Sequence, residues 1–315
     1  MDKKVVSIVV PCFNEQESVQ LFYDEVSRYT GEIDADVELI FVDDGSKDNT
    51  LEVVKGLAYV DKRVKFISFS RNFGKEAAMY AGLQNSRGDY VVIMDADLQH
   101  PPKFLPEMYE KVSSGEYDCA ATRRVSRDGE GKIRSFFSSA FYHVINKISH
   151  THIEPDAQDY RFMSRKMVDA ILSMQEHNRF SKGIFSWVGF STYYIPYENV
   201  ERVAGQTKWS FWGLIKYSME GILAFSTAPL ILSSILGMLI CLIAFCMIIV
   251  VLVRTLLWGD PVAGFPTLIC VILLLSGVQL FCMGILGQYF AKMYLEVKNR
   301  PQYISKEDNI HTKAE

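Results

Sequence analysis

Apolar and polar positions come in alternating blocks over the first part of the chain. Short apolar, largely β-branched runs fall at residues 5–10, 37–42, 64–69, 90–94 and 117–121. Segments of helical length and spacing separate them, beginning near Glu15, Asp48, Gly74 and Pro101. Strands that are apolar throughout, rather than at every second position, are buried on both faces, and the intervening helices supply the cover. The pattern predicts an α/β fold built on a mostly parallel sheet, with no internal repeat or low-complexity tract.

The C-terminal third reads differently. Residues 229–253 carry no charge, and neither do residues 262–291. At about 1.5 Å per residue, a helix of roughly 25 residues reaches roughly 37 Å, more than the hydrocarbon core of a bilayer. Both runs exceed the length of ordinary buried helices. The polar stretch RTLLWGDP (254–261) reads as a turn between them, so a two-helix transmembrane hairpin is predicted. Lys208 and Lys216 precede the hairpin and Lys292, Lys298 and Arg300 follow it, whereas the turn holds only Arg254. The positive-inside rule places both termini in the cytoplasm and the chain in the cell membrane with two spans.

Composition narrows the function. The 315 residues have a formal net charge of −4, without the basic footprint of a nucleic-acid binder. The six cysteines form no CxxC pair, and Cys241, Cys246, Cys270 and Cys282 lie in the apolar runs. That is neither a disulfide framework nor a zinc site, and it suits a reducing compartment. His150 and His152 read as solvent-facing, since zinc takes three or four ligands. The opening MDKKVVSIVVPCFNE has too short an apolar run for a signal peptide, so the domain that follows is expected to stay in the cytoplasm.

The chemistry gathers behind the predicted strands. PCFNE, with Pro11, Asn14 and Glu15, follows the first; Asp43 and Asp44 of DDGS follow the second. Arg71 and Lys75 of SRNFGKEAA follow the third, Asp95, Asp97 and Gln99 of DADLQH the fourth, and Arg123 the fifth. In a parallel sheet these ends share one edge, where open α/β sheets bind ligands. Any one motif has a plainer reading as a cap or turn; five on one edge make a crevice. Asp95 and Asp97, one residue apart, would repel each other without a positive partner. A hard divalent cation shared with a diphosphate supplies one, and Gln99 adds an oxygen within reach. There is no GxxxxGK[ST] loop and no GxGxxG, which removes the P-loop and dinucleotide alternatives. A phosphatase with an aspartyl nucleophile also uses Asp-x-Asp after a strand, but it would not explain a membrane hairpin.

PCFNE, VDDGSKDNT, RNFGKEAA and MDADLQHPP resemble, in order, the blocks of inverting family-2 glycosyltransferases of the GT-A fold. DADLQHPP, QDYRFMSR (158–165), ERVAGQTKWS (201–210) and the hairpin are similar to the polyisoprenyl-phosphate branch, which holds dolichol-phosphate mannose synthases and bactoprenol glucosyltransferases. The resemblance covers nearly the whole chain and implies a Rossmann-like GT-A sheet. It implies that Pro11, Glu15, Asp43, Asp44, Lys75 and Asp95 meet a nucleotide-sugar. Asp95, Asp97 and Gln99 would hold Mg²⁺ or Mn²⁺, and Arg123, Arg134, Ser138, Arg202 and Lys208 would meet the lipid phosphate. Asp97, Asp159 and Arg123 become the catalytic candidates. Asp159 reads either as a base or as a residue orienting the acceptor or Arg161. QDYRF is also similar to the Gln-x-x-Arg-Trp motif of processive polysaccharide synthases, but Phe162 replaces the Trp and one hairpin is too little for a polymer channel.

The implied reaction moves a sugar, from UDP-glucose or UDP-N-acetylglucosamine, to undecaprenyl phosphate, giving a lipid-linked monosaccharide for cell-envelope glycosylation. The acceptor is already an anion, so the task is to bring two anions together, which calls for cations on both sides. In KIRSFFSSAFYHVINKI (132–148) the apolar residues fall on one helical stripe; core packing could account for it, but a helix at the membrane surface is expected, since the acceptor head group must be met there. WSFWGLIKYSMEGIL, with Trp209, Trp212 and Tyr217, is expected to be an interfacial helix. The expected organisation is a cytoplasmic catalytic domain over 1–208, a juxtamembrane helix over 209–226, the hairpin over 227–292 and a cytoplasmic tail over 293–315. A homotetramer is implied by resemblance alone. The alternative of another class, an inactive membrane subunit of the same fold, is disfavoured by the intact Asp95, Asp97, Arg123, Arg202 and Lys208.

Overall fold

The computed structural model describes residues 3–125, 142–143, 145–149, 151–198, 222, 226–258 and 264–311. β1 (Val5–Cys12), β2 (Asp36–Asp43), β3 (Val64–Phe69), β4 (Tyr90–Ile93) and β5 (Cys119–Arg124) match the five predicted runs to within a few residues. β6 (Ala157–Ser164), β7 (Thr192–Tyr197) and β8 (Ser305–Asp308) extend the sheet. Its order is β7-β5-β6-β4-β1-β2-β3-β8. β6 runs antiparallel to β4 and β5, and β8 antiparallel to β3; the other pairs are parallel. The C-terminal ends of β1 to β5 therefore open on one edge.

The helices of this region are α1 (Val19–Thr30), α2 (Thr50–Val60), α3 (Lys75–Asn85), α4 (Leu105–Ser113), α5 (Arg165–Ser173) and α6 (Ser181–Trp187). Strand periodicity sorts the core into two layers. Val6, Ile8, Val10, Leu39, Phe41 and Val92 pack beneath α1, α2 and α4. Val9, Val91 and Ile93 point the other way, towards α3, α5 and α6, where Met79, Met167 and Ile184 meet them. Helix α3 lies very close to the sheet, because a Cβ on Gly82 would fall 2.1 Å from Val9 Cγ1. That contact sets the depth at which α3 presents Lys75.

α7 (Ala228–Trp258) and α8 (Phe265–Lys298) form the C-terminal pair. α7 continues through Arg254 to Trp258, so the polar link is shorter than the stretch 254–261 suggested. Each helix is long and apolar enough to cross a membrane, and no residue of either qualifying window is buried. Ile231, Leu232, Met238 and Leu242 are more than half exposed. A core helix of a soluble domain would hide such side chains.

The chain after the hairpin is not a loose polar tail. α8 stays helical to Lys298 and ends on Asn299 in the left-handed conformation, φ 44° and ψ 43°, a common helix stop. The chain then returns to the catalytic sheet as β8. The short, charged sequence of β8, Ser-Lys-Glu-Asp, covers the edge of β3 and makes a poor template for further pairing.

Of the stripe predicted over 132–148, Tyr142 and Ile145 are buried with Ile153 and Phe180, so this end of it belongs to a core cluster and not to the expected membrane surface. Most of that stripe, nearly all of the expected interfacial helix, and Arg134, Ser138, Arg202 and Lys208 lie outside the described residues.

Candidate active site

Loop hydrogen bonds tie the ends of β1, β2 and β3 together. Asn14 takes the left-handed conformation at φ 52°, which Asn adopts more readily than most residues. Its N–H donates to Ser46 Oγ at 2.9 Å, and its Oδ1 accepts from the Lys47 N–H at 2.8 Å. The Glu15 N–H donates to Thr50 Oγ1 at 2.7 Å, while the Glu15 carboxylate accepts from Ser18 Oγ at 2.6 Å. Pro11 pairs in register with Val42, one residue before Asp43. PCFNE and DDGS are thus one structural unit.

Asp43 and Asp44 are 2% and 3% exposed. Asp43 accepts from the Ser46 N–H at 3.0 Å and from Ser68 Oγ at 2.8 Å. Asp44 reaches across to the loop after β3, accepting from the Phe73 N–H at 2.6 Å and the Gly74 N–H at 2.9 Å. Burial pushes Asp44 up to about 6, even though those two N–H bonds favour its charged form. Gly45, at φ +65°, lets the backbone of Arg71 lie against it, since a Cβ there would fall 2.5 Å from the Arg71 carbonyl carbon. The plainer reading of these aspartates as loop-shaping residues is realised, and the loop they shape borders the crevice.

Gly74 precedes α3, whose first residue is Lys75. Lys75 Nζ lies 2.8 Å from the Asp95 carboxylate and 2.8 Å from Asp159 Oδ2. Lys75 thus supplies a positive partner for Asp95. Burial opposes the Lys75 charge, but the facing Asp159 and Asp95 carboxylates outweigh it and raise the pKa above the ordinary lysine value. Burial likewise works against ionised Asp159, yet Lys75 and Lys182 hold it well below the usual carboxylate range. The Lys75 side chain keeps 39% of its exposure, so water screens part of this attraction.

Asp97 is buried, and its Oδ1 accepts from the Gln99 N–H at 3.1 Å. Leu98, between them, has φ 57°. Among the described residues no cluster of three or more His, Cys, Asp or Glu stands ready to hold a metal. Two carboxylates with the remaining ligands drawn from a phosphate is nonetheless the usual donor set for Mg²⁺, so the residues fit a cation that arrives with a diphosphate. His100 closes the loop. It is 5% exposed and stacked on Tyr160 with ring centroids 5.7 Å apart, with Nδ1 3.9 Å from Asp95 Oδ2.

On the far side, Arg123 Nη1 donates to Glu154 Oε1 at 2.8 Å. β6 carries Asp159 and Arg161; Arg161 is 2% exposed and lies over the Phe185 ring at 4.6 Å. Two neighbours of the Lys75 bridge escaped the sequence reading. Glu76 accepts from the Ser181 N–H at 3.1 Å and from Ser181 Oγ, and burial pushes it up to about 7. Lys182 Nζ contacts Tyr142 OH at 3.4 Å, and its charge acts on Asp159. The only local hint was that Glu76 follows Lys75 directly.

The profile described as Glycosyl transferase family 2 matches residues 7–172. This chain belongs to glycosyl transferase family 2. The matched span runs from β1 into α5 and contains the Lys75 bridge and the Asp95–Asp97 loop. The Bacillus subtilis protein CsbB is 43% identical over 99% of this chain and 94% of its own length. The SfII prophage-derived bactoprenol glucosyl transferase of Shigella flexneri is 42% identical over 96% of this chain and 98% of its own. Among solved structures, glucosyl-3-phosphoglycerate synthase from Mycobacterium tuberculosis is 20% identical with a TM-score of 0.45, covering 70% of this chain and 78% of that one. The mixed eight-stranded sheet is GT-A-like, and this family-2 chain is a glycosyltransferase.

Proposed function

We propose that this glycosyltransferase transfers a hexose, glucose first among the candidates, from a UDP-sugar to undecaprenyl phosphate at the membrane surface, with inversion. The observation that carries the reading is the likeness, over nearly the full length of both chains, to proteins named bactoprenol glucosyl transferases. The crevice supports it with a carboxylate-rich donor side and an arginine-bearing rim.

On the donor side, the loops tied by Asn14, Asp43 and Asp44 form the floor for the nucleoside, beside Pro11 and Glu15. Asp95, Asp97 and Gln99 would hold Mg²⁺ or Mn²⁺ against the diphosphate, where the cation would offset the negative charge of the leaving group. On the acceptor side, Arg123 sits at the rim with its guanidinium on Glu154; a lipid phosphate would compete for it. Arg134, Ser138, Arg202 and Lys208 complete the acceptor set by resemblance. A phosphate oxygen attacks the anomeric carbon, the bond from that carbon to the diphosphate oxygen breaks, and UDP leaves. Asp159, held ionised by Lys75 and Lys182, is a weak proton acceptor. The attacking phosphate is already ionised, so orientation suits Asp159 better than base catalysis.

The return of β8 to the sheet also bears on topology. A chain that leaves the catalytic domain, crosses a bilayer twice and rejoins the same sheet has both ends on one side. The lysines and arginines flanking the hairpin support the cytoplasmic side.

The test is a donor panel of UDP-glucose, UDP-N-acetylglucosamine and GDP-mannose with undecaprenyl phosphate in liposomes, following lipid-linked sugar. Product from UDP-glucose that requires Mg²⁺ or Mn²⁺ is expected. No lipid-linked product from any donor would overturn the reading in favour of an inactive membrane subunit.

A further inference from the structure

The segment beyond the hairpin does more than cover an edge. Residue 70 begins the loop that runs to Gly74 and Lys75, and its N–H donates to the Ile304 carbonyl at 3.0 Å. Tyr303 stacks on Phe69, ring centroids 4.9 Å apart and planes 20° from parallel. Phe69 meets Phe73 edge-on at 5.7 Å, and the Arg71 guanidinium lies 3.9 Å above the Phe73 ring. The Phe73 N–H in turn donates to Asp44. The Tyr303 hydroxyl is fixed from α3, donating to Gln84 Oε1 at 2.9 Å and accepting from Asn85 Nδ2 at 3.2 Å. The loop is thus held at its far end by Asp44 and at its near end by residues that follow both apolar helices.

The chain around the end of α8 also touches the segment between α5 and α6. Glu296, near the end of α8, accepts from the His177 N–H at 2.9 Å, and Gln302 Nε2 donates to the Glu176 carbonyl at 2.9 Å. Residues 176–180 lead directly into Ser181 and Lys182.

We infer that residues 303–305 are a positioning element of the donor site, holding the 70–74 loop through Tyr303, Phe69 and Phe73 and thereby making donor binding depend on the segment that leaves the membrane hairpin. This rests on the reading of the crevice beside Asp44 as the nucleotide-sugar site. Stacked aromatic pairs and an anchoring backbone bond restrict a loop without touching its ligand, so their loss should weaken ground-state donor binding while the reacting groups keep their places.

The far end of β8 supplies the control. Asn309 Oδ1 accepts from the Phe66 N–H at 2.7 Å and Asn309 Nδ2 donates to the Val64 carbonyl at 3.3 Å, at the end of β3 away from the crevice. KM for UDP-glucose and for undecaprenyl phosphate would be measured in liposomes for the full-length wild type, Tyr303→Ala, Tyr303→Phe, Asn309→Ala and Asp44→Ala, with melting temperatures alongside. The expected result is a roughly tenfold rise in the UDP-glucose KM for Tyr303→Ala, an unchanged acceptor KM, and substantial recovery in Tyr303→Phe, which keeps the stack. Asn309→Ala is expected to lower the melting temperature and leave both KM values alone. If Asp44→Ala raises the donor KM but Tyr303→Ala does not, or if Asn309→Ala raises it equally, β8 is merely a stabilising strand and the inference falls. A wild type with no saturable use of any donor in the panel, or an Asp44→Ala variant with unchanged donor KM, would overturn the donor-site reading and this inference with it.

Discussion

Lys75 Nζ and Asp159 Oδ2 are 2.8 Å apart, joining the first residue of α3 to the antiparallel strand β6 across 84 positions of sequence. The same ammonium group holds Asp95, so a single cation fixes the spacing of two crevice walls. Lys75→Ala leaves both carboxylates facing each other. With the side chain 39% exposed, the stability loss is expected at about 1 kcal/mol after discounting for water, rather than the larger cost of a fully buried pair. Transfer should fall far more than stability. A thermal melt and a turnover measurement on one preparation check this, and a parallel, small loss of both would mean the bridge is only structural.

Asp97→Asn is expected to leave the fold intact, since an amide oxygen can still accept from the Gln99 N–H. Turnover should drop by several kcal/mol in barrier, the scale of a lost metal ligand. Near-normal turnover with Mg²⁺ or Mn²⁺ would remove Asp97 from the metal site.

Arg123→Ala separates two roles. A surface ion pair with Glu154 accounts for less than about 1 kcal/mol of stability. A charge-assisted bond to the acceptor phosphate would show as a rise in acceptor KM equivalent to about 2 kcal/mol, with donor KM unchanged. Acceptor titrations in detergent micelles distinguish the two.

Glu76 gives a pH signature. Burial raises its folded pKa from an ordinary 4.5 to about 7. The folded state then binds the proton more tightly than the unfolded one, so stability falls as pH rises from 4.5 towards 7 and stays low above it. Glu76→Gln keeps an acceptor for Ser181 without the charge. It should flatten that window and gain up to about 3 kcal/mol at pH 8, by the rule that one pKa unit is about 1.4 kcal/mol. Denaturant melts at pH 5 and pH 8 supply the comparison, and an unchanged slope would show that Glu76 titrates normally.

Gly82→Ala should destabilise by about 1–3 kcal/mol, because Val9 is stiff and the added carbon has nowhere to go without lifting α3. Donor use should suffer as well, since Lys75 moves with the helix. A melt within 1 °C or so of wild type would show that the helix can shift freely.

The parallel half of the fold was legible because its strands are continuous apolar runs flanked by helical spacing. β6 was not read as a strand: Gln158, Asp159 and Arg161 break the apolar pattern, although Tyr160, Phe162 and Met163 are each 0% exposed. β8 had no chance of being read, since Ser-Lys-Glu-Asp has no apolar residue and pairs only because β3 offers an edge. The crevice aspartates and Lys75 were found from their places behind strands. Lys182 and Ser181 lie on α6, far in sequence from any motif, and only the fold brings them to Asp159 and Glu76. Burial of Asp43 and Asp44 to a few per cent was equally invisible, because a carboxylate pair in a turn looks the same in sequence whether water or backbone N–H groups surround it.

Since β8 follows every other described element, the sheet cannot close during early synthesis. Phe66 and Asn309, bonded in the finished protein, are 243 residues apart, an interval of about 10–50 s of translation. Throughout that time β3 presents an unpaired edge to the ribosome's surroundings, a risk for association with other chains. A polypeptide broken anywhere in the apolar pair keeps that edge open permanently. Closure of the β3 edge is thus tied to synthesis of both apolar helices that precede β8.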